Sequence, residues 1–160
     1  MLYVLFSYKE EGYDFQVEIA SKDFNKIKDK ALEIGNLNLS ELKPELNNEI
    51  IYGSNYGIKG WVNLGIKDSR QYILQGKEIE LPEDKKILGI FFNGDSINWE
   101  GELLALGNKD QVWSAYLDHL DYCMEETMDF IREMSLAFRD GEPLVDSSDN
   151  EYFLIEIKVI

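Results

Sequence analysis

Residues 2–8, LYVLFSY, are apolar at nearly every position, which predicts a strand buried on both faces. After a turn at EEG (10–12), YDFQVEI alternates cleanly. Tyr13, Phe15, Val17 and Ile19 fall on one face, and Asp14, Gln16 and Glu18 on the other. That pattern predicts a half-buried strand completing an N-terminal hairpin. Ser21 is placed to N-cap a helix over about 22–34, closed by Gly35, with Phe24, Ile27, Ala31 and Ile34 as its apolar stripe. NLNLSELKPELNN (36–48) reads as a loop with a short helical turn, and EIIYG (49–53) as a short strand. Residues 54–69 carry Gly57, Gly60 and Gly65 around Trp61 and predict an irregular strand and loop. Asp68 is read as the cap of a short helix, SRQYILQ, ending at Gly76.

EIEL and KILGIFF predict strands separated by PEDK. Asn93-Gly94 follows, between KILGIFF and the apolar run in DSINWEGELLAL, and is a strong hairpin signal. Residues 110–138 read as one long helix, 139–150 as an acidic loop, and YFLIEIKVI as a last strand with Phe153, Ile155, Ile157 and Val159 on one face. No internal repeat, inter-domain linker or regular βαβ alternation is visible. The prediction is a single α+β domain over 1–160. Its sheet is mainly antiparallel, with one long C-terminal-half helix packed on one face, plus shorter helices.

At about 100° per residue, Trp113, Tyr116, Leu117, Leu120, Met124, Thr127, Ile131, Met134 and Phe138 fall together on the long helix as a core stripe. Asp118, Asp121, Glu125, Asp129 and Glu133 fall opposite, with Glu126 just beyond and Tyr122 among them. Like charges at i,i+4 cost a helix a few tenths of a kcal/mol per pair, a cost that burial of the apolar stripe easily offsets. An aromatic ringed by charges has the composition of a binding hot spot, so Asp118, Asp121, Tyr122, Glu125, Glu126 and Asp129 are the candidate partner-binding residues. The alternative is a solvated helix face, with Tyr122 lying flat along it or covered by the 139–150 loop.

The same helix holds the only histidine, His119, and the only cysteine, Cys123. Their i,i+4 spacing makes them neighbours, but a zinc site needs three or four ligands and no further His or Cys exists to complete a common set. A catalytic cysteine needs an oxyanion hole and a substrate pocket, which a mid-helix position beside a core stripe does not offer. His119 and Cys123 are therefore expected at the core boundary, without catalytic role, and no metal or cofactor is expected. Neither G-x-x-x-x-G-K-[ST] nor G-x-G-x-x-G is present.

Charge sharpens the picture. Sixteen Lys and Arg stand against 31 Asp and Glu, a formal net charge of −15. Residues 81–160 carry a net −12 of it and residues 1–80 only −3. Such a field repels nucleic acid and anionic lipid and attracts basic partners. No run of about 18 apolar residues predicts a membrane span, and the start, MLYVLFSYKEEGYDF, lacks a basic n-region and a small-residue cleavage site. A cytoplasmic protein is expected, and the lone cysteine is compatible with a reducing compartment.

In size, acidity and α+β style the chain resembles the small acidic immunity proteins of bacterial toxin–immunity systems, a resemblance that rests on no residue motif. It implies a non-enzymatic, cytoplasmic inhibitor that neutralises a basic, nuclease-like toxin through an acidic surface. The competing class is an enzyme or small-molecule-binding domain with a pocket around residues 52–72, where Tyr52, Tyr56 and Trp61 cluster.

Overall fold

The computed structural model describes residues 1–9, 14–47, 56–93, 101–123, 127–146 and 150–160, without the side chains of 121–123. The fold is α+β. The described residues form two four-stranded antiparallel sheets. In the first, β1 (Leu2–Lys9) and β4 (Arg70–Lys77) are central, flanked by β2 (Gln16–Ser21) and β3 (Ile58–Lys67). In the second, β5 (Lys86–Asn93) and β8 (Glu151–Lys158) are central, flanked by β6 (Glu102–Gly107) and β7 (Leu144–Val145).

Alternation along each strand feeds three cores. Val4, Phe6 and Ile73 of the first sheet meet Phe91, Leu103 and Ile157 of the second in the layer between the sheets. Tyr3, Leu5 and Leu74 face the other way, beneath Ile27 and Ala31 of α1 (Phe24–Ile34). Ile90, Phe92 and Tyr152 face outward beneath α2 (Lys109–Cys123) and α3 (Met128–Arg139). The result is a four-layer α/β/β/α sandwich with both sheets buried on both faces. The expected both-faces burial of the first strand follows from this, and so does the inward face of the last strand. Helices cover both sheets, where the sequence pattern places the long helix on one face.

α1 starts two residues later than expected. Asp23 is its N-cap and accepts a hydrogen bond from Asn25 N, while Gly35 closes it at φ 77° as anticipated. Ser21 has a different role, accepting from Asp23 N and donating to Ile160 O. The short turn expected in 36–48 is a 3₁₀ turn at Leu39–Glu41.

Four expectations are corrected. The alternation of 13–19 does not keep one face, because Glu18 is an extra residue in a bulge between Leu5–Ile19 and Phe6–Val17. Val17 consequently packs between the sheets and Ile19 under α1. The expected helix over 69–75 is instead the start of a strand, β4, that begins at Arg70. Asp68 and Ser69 both take positive φ, 51° and 64°, and form the two-residue hairpin turn that pairs Lys67 with Arg70. EIEL is not a strand. Finally, the stretch 110–138 is two helices. Thr127 does not join the core; it is exposed and caps α3, accepting from Phe130 N at 3.2 Å.

The turn at 10–12, Tyr13, the 49–53 strand and the Gly94 half of the Asn-Gly turn lie outside the described residues, although β5 and β6 pair antiparallel as a hairpin requires. Among the described residues no helix is long and apolar enough to cross a membrane.

Candidate functional site

The outer helical layer carries the acidic residues singled out in the sequence. α2 begins with a reciprocal cap: Asn108 Oδ1 accepts from Gln111 N, and Gln111 Oε1 accepts from Asn108 N, each at 2.9 Å. Its buried face is Val112, Ala115, Tyr116, His119 and Leu120. That face is rotated by about one residue step, roughly 100°, from the stripe expected around Trp113. Trp113 instead sits half-buried at the seam between the helices, 5.2 Å from the ring of Phe138 on α3.

Asp118 on α2 and Asp129 on α3 are both exposed. The backbone of Asp121 and Tyr122 continues α2; their side chains, and all of Glu125 and Glu126, lie outside the described residues. Asp118 and Asp129 therefore share a layer but not one continuous helix face. Arg132, one turn from Asp129 at 4.0 Å, partly offsets the acidity of α3.

His119 is not at the core boundary. It is 1% exposed and stands edge-on to Phe92 and Tyr152. Its Nδ1 lies 2.8 Å from Tyr152 Oη, which donates to Asp146 Oδ2 at 3.3 Å. Asn150 holds that carboxylate through its backbone N–H and its Nδ2. Tyr116 Oη donates to Val145 O nearby. Burial lowers the imidazole's proton affinity, and the Asp146 charge partly opposes this. The chain of hydrogen bonds fastens α2 to β8 and to the 144–150 segment. Buried polar side chains are ordinarily hydrogen-bonded in this way. Cys123's side chain is outside the described residues, and among those described no group of three or more His, Cys, Asp or Glu is placed to hold a metal ion.

Glu102 pairs with Phe92 across β5–β6 and so lies on the helix-covered side of its sheet. It is 6% exposed, and burial pushes its carboxyl up to about 8.

The pocket expected around 52–72 is not formed by Trp61, whose Nε1 donates to Gly101 O at 3.0 Å. Residues 52–55 lie outside the described residues. Tyr56 instead helps line an open cleft of about 390 Å³ between β6 and α2. Ala105, Leu106 and Ala115, all buried, lie beneath the cleft, and Asp110, Ser114 and Asp118 approach from the helix. Lys77 reaches it from β4, donating to Leu106 O at 3.0 Å, and burial lowers its ammonium's proton affinity. Lys77 is invisible to a reading that makes 69–75 a helix. The two-residue period of Ile73, Gln75 and Lys77, all directed toward the second sheet, is the signal that reveals it.

No protein-family model, curated protein or solved structure matches the chain.

Proposed function

We propose that the protein is a cytoplasmic, non-enzymatic inhibitor of the immunity-protein kind, which binds a basic, toxin-like protein through the acidic outer layer formed by α2 and α3. The observation that carries this reading is the net −12 of residues 81–160, with Asp118 and Asp129 exposed on that layer. A predominantly acidic surface speeds encounter with a basic partner and disfavours nucleic acid.

The test is affinity capture from the source cells, with the wild-type protein beside an Asp118→Lys, Asp129→Lys variant. The expected result is a basic protein retained by the wild type, released by salt, and bound by the variant with an association rate at least tenfold slower at low salt. Protection of cells against that protein, encoded beside this chain, completes the case. A captured partner that is acidic, or one whose association ignores both the substitutions and salt, overturns the reading.

A further inference from the structure

The cleft between β6 and α2 carries both signs of charge, and neither sign is neutralised within it. Lys77 is half-buried and spends one of its three ammonium donors on Leu106 O. Among the described residues it forms no ion pair with any carboxylate, including Asp110 and Asp118 of the same cleft. A cation drawn partly out of water without a counter-charge is unfavourable, and an anionic group arriving beside it relieves that cost. On the helix side, Asp110 and Asp118 stand two turns apart, about 12 Å along the axis, and neither forms an ion pair among the described residues.

A ligand that satisfies such a cleft must carry an anion for Lys77 and a cation for the aspartate rim. The volume, about 390 Å³, stands near the lower end of the roughly 300–1,000 Å³ usual for small-molecule sites. It suits a compact molecule, and the acidic rim disfavours nucleotides and other polyanions. We propose that this cleft binds a free amino acid, its carboxylate held by Lys77 and its ammonium by Asp118 or Asp110. The site is separate from protein docking on the outer layer, and only Asp118 belongs to both.

The experiment is a set of titrations of the full chain, followed by ¹H–¹⁵N NMR. The ligands are the twenty standard amino acids, with isovalerate as the carboxylate-only probe and isoamylamine as the cation-only probe. The expected result is that at least one amino acid gives saturable shifts in amides of 105–118 and of Lys77, at least tenfold tighter than either single-charge probe. Lys77→Gln, which keeps a donor for Leu106 O, should weaken the amino acid at least tenfold and leave isoamylamine unchanged. Asp118→Asn and Asp110→Asn change exposed side chains and should keep the fold. One of the two, or both together, should remove the advantage over isovalerate. Absence of saturable shifts with all twenty amino acids overturns the proposal. So does equal binding of a single-charge probe, or binding indifferent to all three substitutions. Because Lys77 belongs to the cleft alone, Lys77→Gln should still retain a basic protein partner in the capture experiment. A failure here is thereby distinguished from a failure of the docking function.

Discussion

Glu102 and His119 sit on the same side of the second sheet, and burial moves their proton affinities in opposite directions. Glu102 binds its proton up to about pH 8 in the folded protein, against an ordinary 4.5. Between those values the folded state holds the extra proton, so stability falls as pH rises, by up to about 1.4 kcal/mol per pH unit. His119 is held below its ordinary 6.5, so the unfolded state holds the extra proton there and stability is lost as pH falls below that value. From pH 6.5 to 8 the Glu102 contribution acts alone of the two. Urea unfolding at these two pH values should therefore show the wild type losing about 1 kcal/mol or more relative to Glu102→Gln. Parallel behaviour of the two proteins would mean that the carboxyl is ionised throughout. At this scale the sequence is informative only where a residue's own chemistry decides. Asp118 and Asp129 are legible as exposed carboxylates. His119 reads from the sequence as a group at the core boundary, not as the fully buried one it is. Its neighbours Asp146 and Tyr152 arrive from residues about thirty positions away, which no local pattern encodes.

Elements are legible where hydrophobic period and capping chemistry agree, as in α1, β1 and β8. They mislead where one signal persists through a break in the other. The 3–4 spacing of apolar residues continues across 110–138 because both helices lean on one sheet, yet the chain begins a new helix at Thr127. A threonine side chain accepting from the third residue onward stabilises such a start, and Asp129 in the first turn adds a favourable interaction with the helix dipole. Thr127→Ala should cost about 1 kcal/mol in thermal or urea unfolding, whereas Thr127→Ser should cost less than half of that. Equal stability of Thr127→Ala and wild type would argue for a continuous helix through this point. The Asp68-Ser69 turn misleads for a related reason. Asp68 reads equally well as a helix cap or as a residue tolerant of positive φ, and the pairing of β3 with β4 decides between them.

At the scale of the molecule, the unusual feature is how the sheets are joined. β6 is an edge strand, yet its outward backbone groups are occupied by side chains of the other sheet. Leu103 N donates to Gln75 Oε1 at 2.7 Å, Leu106 O accepts from Lys77, and Gly101 O accepts from Trp61. Gln75 also donates to Gly60 O at 2.9 Å, so a single 2% exposed amide bridges β3 and β6 from its place on β4. Elsewhere Val159 N donates to Lys85 O and Ile160 N to Ala20 O, which ties the end of the chain to both sheets. Capped edges of this kind prevent strand addition by other chains and make the two sheets one body. The consequence is specific. Gln75→Leu keeps the bulk but leaves Leu103 N–H and Gly60 C=O without their partner in a buried layer, at about 1–3 kcal/mol for each such group. The substitution should therefore lower unfolding free energy by about 2–4 kcal/mol. Because both sheets share the layer bridged by Gln75, fluorescence of Trp61 and of Trp113 should report one coincident transition in the wild type. Two separated transitions, or a Gln75→Leu protein within about 0.5 kcal/mol of wild type, would show that the side-chain bridge does not hold the sheets together and that packing between Phe6, Phe91 and their neighbours suffices.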